Sequence, residues 1–366
     1  MAPGRAPLVL HVFPSFAVGG AQARFATLAN RLGDRLRHLV VAMDGRTECR
    51  ERLLPSLDVR FPEIEVRRGD TFGNLRRFRA ALRAWQPDLL VTSNWGSIEW
   101  AMAAAVPPRP VRHLHTEDGF GPEERDRQIA RRVWTRRVVL RRSLTVVPSR
   151  VLEGLARNVW RLPPSRVRYM ANGVDLNPVL PAADAWPGGG AGPLVGTVAA
   201  LRAEKNLARL LRAMRLVQLP MRLLVVGDGP ERDMLERLVQ ELGLAGRVRF
   251  AGHVAQPQGL VAALDLFALT SDTEQMPLSV LEAMAAAKPI AATAVGDVRE
   301  MVAPENRPFI VARDDGAMAR ALTSLLESAP IRASVGNANR ARAESVYGEA
   351  NMVAAWAELL GAAPVG

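Results

Sequence analysis

Residues Asp272 to Glu300 read DTEQMPLSVLEAMAAAKPIAATAVGDVRE, and this stretch decides the fold. An apolar run, Leu264–Ser271, leads into it, and a second, Pro289–Val295, lies near its end. Between them MPLSVLEAMA predicts a helix. Pro277 suits its first position, because the N–H that proline lacks would be unbonded there anyway. Strand, helix, strand is the repeating unit of a parallel α/β sheet. Glu274 falls in the loop after the first strand and Glu282 inside the helix, roughly 7–8 Å beyond Pro277 along the axis. Amides at the helix start carry the positive end of its dipole and suit an anion. One rigid element thus offers a tip for a phosphate or sugar and a carboxylate for hydroxyls further back. Taken alone, the two glutamates fit better an ordinary buried helix with a capping acid before it.

The same alternation runs outward in both directions. In the first half, strands are predicted near Leu8–Phe13, Leu36–Met43, Leu89–Asn94, Val111–Thr116, Leu144–Ser149 and Val167–Asn172. Phe25, Leu28, Ala29 and Leu32 mark a helix between the first two. NPVLPAADAWPGGGAGP, residues Asn177 to Pro193, has no periodicity and is dense in proline and glycine, so it reads as a linker. Strands resume near Leu194–Ala200, Arg222–Asp228, Val248–Val254, Leu264–Ser271, Pro289–Val295 and Phe309–Ala312. Helical stripes at Leu207, Leu210, Leu211, Met214, Val217 and at Leu235, Leu238, Val239, Leu242 separate some of them. The prediction is two successive doubly wound domains, 1–176 and 194–340, joined by 177–193 and followed by a helix within 341–366. In such sheets ligands bind beyond the carboxyl ends of the strands.

Composition narrows the class. A chain of 366 residues exceeds one typical core, and 48% hydrophobic with 23% charged residues is globular. Cys49 is the single cysteine, which excludes an internal disulfide or a cysteine zinc cage and fits a reducing compartment. LVLHVF is too short for a secretory signal, and no run approaches the ~20 apolar residues of a spanning helix. A cytoplasmic protein is expected, free or on the inner face of the membrane. The net charge of +11 has three readings: nucleic acid, an anionic membrane, or arginine bias. With aromatics at 5% and no basic–aromatic interleaving, nucleic acid is the weakest.

Candidate residues cluster at predicted strand ends. Gly19 and Gly20 open a helix after the first strand and allow a diphosphate close to backbone amides. Arg202 and Lys205 lie between a strand and a helix. Gly227 and Gly229 flank Asp228 at another strand end. His113 and His115 alternate on the fourth strand and so point the same way, followed by Glu117 and Asp118. PEERDRQIARRVWTRRVVLRRS, Pro122 to Ser143, is unusually basic: Arg131, Arg132, Arg136, Arg137, Arg141 and Arg142 accompany Trp134. It suits an anionic membrane surface or, equally, a solvated face of an arginine-rich chain.

Glu274 and Glu282 around MPLSVLEAMA resemble the E-x7-E signature of the family-4 retaining glycosyltransferases, and the resemblance covers nearly the whole chain. It implies the GT-B architecture, two Rossmann-like domains facing across a cleft, with the C-terminal VYGEANMVAAWAELL helix (Tyr347, Met352, Trp356) returning to the first domain. It implies transfer from a UDP- or GDP-sugar to a saccharide or lipid-linked acceptor, as in bacterial cell-surface polysaccharide synthesis, with no cofactor and no metal. By that resemblance Arg202 and Lys205 clamp the leaving diphosphate, His115 contacts the donor sugar, and Glu274 completes the catalytic set. Gly19, Gly20, Gly227, Gly229, Gly252, Ser271, Met276, Pro277, Leu278 and Glu282 surround the donor, and Glu117 and Asp118 lie where an acceptor hydroxyl would sit. Gln22 stands where relatives have glutamate and receives no role. Gln275 and Ala287 stand at frequent glycine positions, and Asp297 replaces the second glycine of a V-G-G turn, which leaves sugar recognition open. The alternatives are a sugar-nucleotide epimerase of the same architecture and a non-catalytic module that docks on membrane or partner.

Overall fold

A computed structural model gives the fold and describes residues 5–107, 111–124, 127–187 and 189–363. The chain forms two compact units, Met1–Asn172 with Ala350–Gly366, and Gly173–Glu349.

Unit 1 is a parallel sheet of β1 (Leu8–Phe13), β2 (Arg37–Ala42), β3 (Val59–Arg60), β4 (Leu89–Ser93), β5 (Arg112–Thr116), β6 (Leu144–Val147) and β7 (Val167–Tyr169). The order is β3-β2-β1-β4-β5-β6-β7, with every pair parallel. Its strands are apolar on both faces because helices cover both faces. These helices are α1 (Gly20–Leu32), α2 (Thr71–Trp85), α3 (Ile98–Ala105), α4 (Ala130–Val139) and α5 (Arg150–Asn158). Asp70 caps α2 by accepting from Gly73 N–H, and Ser149 caps α5 by accepting from Leu152 N–H. The strands read from sequence all form, shortened by a residue or more at most ends. Only β3, Val59–Arg60, was missed.

Unit 2 repeats the plan with β8 (Leu194–Val198), β9 (Arg222–Val226), β10 (Val248–Gly252), β11 (Leu266–Leu269), β12 (Ile290–Thr293) and β13 (Ile310–Val311). The order is β10-β9-β8-β11-β12-β13, again parallel. Its helices are α6 (Leu207–Leu216), α7 (Arg232–Glu241), α8 (Gln258–Ala262), α9 (Leu278–Ala285), α10 (Val298–Met301), α11 (Asp315–Leu326) and α12 (Ala329–Val346). Leu210, Leu211 and Met214 of α6 pack with Leu235 and Val239 of α7 and Leu322 of α11 in one core.

The last helix, α13 (Glu349–Leu360), leaves unit 2. Met352, Val353, Trp356 and Leu360 join Val9, Leu28, Val91 and Leu114 in the core of unit 1. The chain passes between units at Asn172/Gly173, and Asn177–Pro193, read as a linker, belongs to unit 2. Ala182 N–H donates to Gly259 O (2.9 Å), Ala185 is buried, and Arg222 lies over the Trp186 ring. Composition marked a break here, but one tryptophan and a few backbone bonds dock the segment. Gly188 of that segment, and Arg125 and Asp126 of the basic stretch, lie outside the described residues. Among the described residues no helix is long and apolar enough to cross a membrane.

Candidate functional site

Each sheet has one place where the chain reverses its direction of progress, and the loops leaving the carboxyl ends of the two strands there diverge to leave a crevice. In unit 2 that place lies between β8 and β11. The loop after β8 carries Arg202 and Lys205, and the loop after β11 carries Ser271 and Glu274. Lys205 Nζ donates to Glu274 Oε1 at 2.6 Å, and Ser271 Oγ donates to the same oxygen at 2.7 Å. The backbones are tied as well, since Asp272 N–H donates to Glu204 O (2.8 Å). Asn206 holds the corner: at φ +44° it caps α6 by accepting from Arg209 N–H, and its amide donates to Asp272 Oδ2 at 3.1 Å. Arg209 pairs with Asp272 Oδ1 at 2.8 Å and donates to Thr270 O at 2.8 Å. The two loops therefore move as one piece. Lys205 and Glu274 keep 25% and 11% of their side chains accessible, enough for a ligand to reach them. Arg202 is exposed and makes no ion pair among the described residues.

Glycines allow this corner to close. Gly227 and Gly229 hold φ of +138° and +159°. A Cβ on Gly229 would stand 2.5 Å from Leu201 O, and one on Gly227 would overlap Ala199 O. Their first role is thus to let the turn after β9 lie against the loop after β8, where Leu201 N–H donates to Asp228 O (3.0 Å). Gly252 (φ +72°) supplies the carbonyl that accepts from Gly227 N–H. Gly296, which sequence reasoning missed, has φ +51°, and its Cβ would overlap Glu274 O and lie 2.6 Å from Gln275 O. Asp297 N–H donates to Gln275 O (2.9 Å), so the turn after β12 braces the Glu274 loop from behind. Pro277 takes the N-cap of α9 rather than its first turn, one residue from the expected place, and no side chain caps that turn. Met276 is buried under it, Leu278 opens the helix half-buried, and Glu282 is half-buried on the same helix.

In unit 1 the corresponding place lies between β1 and β4. Gly19 is the extended N-cap of α1 and Gly20 its exposed first residue. The β1 and β4 loops touch: a Cβ on Gly96 would sit 2.6 Å from Pro14 Cβ. Asn94, at φ +58°, accepts from Asp118 N–H at 2.7 Å. Asp118 is gripped by Arg24, whose Nη2 donates to Oδ2 at 2.8 Å while Nη1 also donates to Asn172 Oδ1 at 2.9 Å. Asn94, Gly96 and Arg24 were not singled out from sequence; an asparagine and a glycine just past a strand end were the available signals.

Three of the residues read from the sequence lie in the interior. His115 is completely buried, its Nδ1 on Thr92 Oγ1 (2.8 Å). Its neighbour His113 shares Thr92 Oγ1 (2.8 Å) and contacts Ser143 Oγ (2.6 Å), and burial pushes its pKa down to about 3. Glu117, expected near an acceptor, is also fully buried and accepts from Arg136 Nε at 3.0 Å. Arg136, expected on a basic surface, is enclosed: its guanidinium lies 5.1, 5.3 and 4.9 Å from the rings of Trp95, Phe120 and Trp160 and also meets Glu124 at 3.4 Å. Arg132 turns inward to Glu123 (2.6 Å) and Glu124 (3.0 Å), and Arg137 donates to Val159 O (3.0 Å). Three acids and an aromatic wall, none adjacent in sequence to these arginines, draw half of the basic stretch into the protein.

Residues 189–342 match the sequence model of the family described as glycosyl transferases group 1, and residues 18–178 that of glycosyltransferase family 4. The 2-deoxystreptamine N-acetyl-D-glucosaminyltransferase of Streptomyces fradiae is 30% identical over 344 residues, which span 82% of this chain and 80% of the relative. The lipopolysaccharide core biosynthesis glycosyltransferase LpsD of Rhizobium meliloti is 36% identical over 130 residues, 35% of this chain and 38% of the relative. HepE of Anabaena, solved in complex with UDP-glucose, superposes with a TM-score of 0.82 at 20% identity over 97% of this chain and 99% of HepE. At that identity the likeness concerns the fold.

Proposed function

The chain belongs to the group 1, family-4 glycosyltransferases, and from that premise we propose that it is a retaining, metal-independent enzyme that moves a sugar from a nucleoside-diphosphate sugar to a saccharide or lipid-linked acceptor in bacterial cell-surface polysaccharide synthesis. Its two doubly wound units are the GT-B architecture. The observation that carries the proposal is the Lys205–Glu274 tie at the β8/β11 crevice, with Arg202 exposed beside it. Departure of a nucleoside diphosphate needs its developing charge neutralised, and Lys205, held by Glu274, together with the exposed Arg202 of the same loop supplies that without a metal. Among the described residues no group of three or more His, Cys, Asp or Glu is placed to hold one.

In this reading Glu274, held by Lys205 and Ser271, and Glu282 further along α9 receive donor hydroxyls; within unit 1 the Gly19–Gly20 helix start offers amides to an anion. Asp118, the one acid of the β5 loop read as acceptor-side that stays partly accessible, is the candidate there. The leaving phosphate itself takes the acceptor proton on the front face, so no protein base is required. The donor class draws support from HepE, which binds UDP-glucose, and the pathway class from LpsD. A cytoplasmic setting is part of the proposal, and the single cysteine fits a reducing compartment.

Incubation of the purified protein with a panel of UDP- and GDP-sugars and saccharide acceptors tests the proposal. The expected result is release of free UDP or GDP with an α-linked product, at a rate unchanged by excess EDTA. Donor binding without turnover points instead to a non-catalytic module, and an epimerised donor to the epimerase reading. Loss of turnover in EDTA that Mg²⁺ restores would overturn the metal-independent clause.

A further inference from the structure

Unit 1 has a second recess, which the transfer reaction does not use. It opens at the amino ends of β4, β5 and β6, the edge opposite Asp118, with a volume of about 1200 Å³. Met102, Val106, Val138 and Val139 give it an apolar wall, while Arg112, Arg141, Arg142 and Arg166 stand around it. Glu358 is the acid of its lining and lies 3.7 Å from Arg168, so it leaves those four charges unbalanced. A smaller recess of about 570 Å³ shares Arg141 and adds Arg137, Arg157 and Arg161.

The outer face of α4 continues this surface. Arg131, Trp134 and Val138 recur at helical spacing and share one side of α4, and Arg141 lies in the turn just beyond its end. Trp134 is 64% exposed and Val138 52%, and the side chains of Arg131, Arg141 and Arg142 make no ion pair among the described residues. Folding has thus divided the basic stretch. Arg132, Arg136 and Arg137 are spent on internal partners, and what remains outside is an aromatic and an aliphatic side chain bracketed by free guanidinium groups. Rings and alkyl groups between free cations are the composition of an interfacial helix.

We infer that this side of unit 1 docks on an anionic phospholipid surface, with Arg131, Arg141 and Arg142 on phosphate headgroups, Trp134 and Val138 at the acyl boundary, and an alkyl chain in the apolar recess. Charge complementarity identifies the occupant: the recess is apolar inside and cationic at its mouth, the inverse of a lipid whose tail is apolar and whose head is a phosphate.

The test is cosedimentation of the full-length chain with neutral phosphatidylcholine vesicles and with vesicles that also contain phosphatidylglycerol. No donor or acceptor is added, so the result is independent of the transfer activity. Wild type should prefer the anionic vesicles and lose that preference as salt rises. The variant R131Q/R141Q/R142Q should bind them about 100-fold more weakly, whereas R215Q/R237Q/R320Q, which removes the same three charges from exposed sites on unit 2, should bind as wild type does. Trp134→Ser, which keeps every charge, should cost about tenfold in binding. Circular dichroism verifies that each variant is folded. Equal binding by the two triple variants would show that only net charge matters and overturn the assignment, as would equal partitioning of wild type to neutral and anionic vesicles. Release by inorganic phosphate at constant ionic strength would identify a site for free phosphate and overturn the lipid.

Discussion

Gly296 and Gly33 both hold positive φ, +51° and +58°, yet only Gly296 has backbone against the place a Cβ would take. Gly33→Ala should therefore cost roughly 1–3 kcal/mol, because φ +58° with ψ −134° is a conformation that essentially only glycine adopts, and leave nucleotide binding unchanged. Gly296→Ala must also push the Glu274–Gln275 carbonyls aside, so nucleotide-sugar affinity should fall at least tenfold while the protein stays folded. Calorimetry on the two variants separates the cases; equal affinities would mean that the turn after β12 does not brace the donor loop. Lys205 and Glu274 share one hydrogen bond and are expected to share one function. Lys205→Ala should lower kcat by about 100-fold, and Lys205→Ala/Glu274→Gln should lose less than the product of the single effects. Multiplicative losses would show two independent roles. Glu282→Ala should weaken donor binding by roughly 1.5–3 kcal/mol, the range for hydrogen bonds to a charged group; unchanged affinity would remove Glu282 from the donor site.

At the scale of the element, α4 shows how one helix serves two masters. Its inner side carries Arg136 into a cage of three rings and two carboxylates, with Glu117 Oε1 and His115 Nε2 left without a hydrogen-bond partner. Removing the cation strands Glu117 in a low-dielectric interior, while Glu124 keeps Arg132 at 3.0 Å. Arg136→Leu should accordingly destabilise the protein by about 3–5 kcal/mol, whereas Arg131→Gln on the outer side should stay within about 0.5 kcal/mol. Urea unfolding of the two variants checks the contrast. Comparable stabilities would mean that the cage is not a structural device. The basic stretch was visible in the sequence as charge. Which arginines are structural was not, because their partners come from the end of β5, the turn before α4 and the end of α5.

For the molecule as a whole, buried histidine is confined to unit 1. Burial holds His38 down to about 4 and His113 to about 3, and it drives His11 well below its usual value, with neighbouring His38 as the lesser cause. His38 Nδ1 and His11 Nε2 stand 3.2 Å apart, a hydrogen bond that neutral rings make and two imidazolium ions cannot. Because the folded values lie below the unfolded value near 6.5, the unfolded chain binds more protons as the pH falls. The stabilisation is complete above about pH 6.5 and is lost progressively down to about 4 for His38 and 3 for His113, at roughly 3 kcal/mol for His38 alone. The thermal transition of unit 1 should thus move to lower temperature between pH 6.5 and 4, and His38→Gln should flatten that slope. Scanning calorimetry at several pH values reads it directly. A pH-independent transition would mean that these rings take up protons without cost.

Period and punctuation alone determined the two parallel sheets, the strand positions, and the strand ends where Lys205, Glu274 and Asp118 fall. Side-chain alternation, helical stripes and Gly or Pro breaks are local properties that survive in any one stretch of chain. Tertiary structure decided what those residues do there. Lys205 meets Glu274 because β8 and β11 are neighbours in the sheet, although the two residues stand 69 apart in sequence. His115 and Glu117 are interior because β5 is flanked on both sides by other strands, and Gly296 matters because a loop over twenty residues earlier rests against it. Burial and pairing are relations between distant segments, and no window of sequence contains both partners.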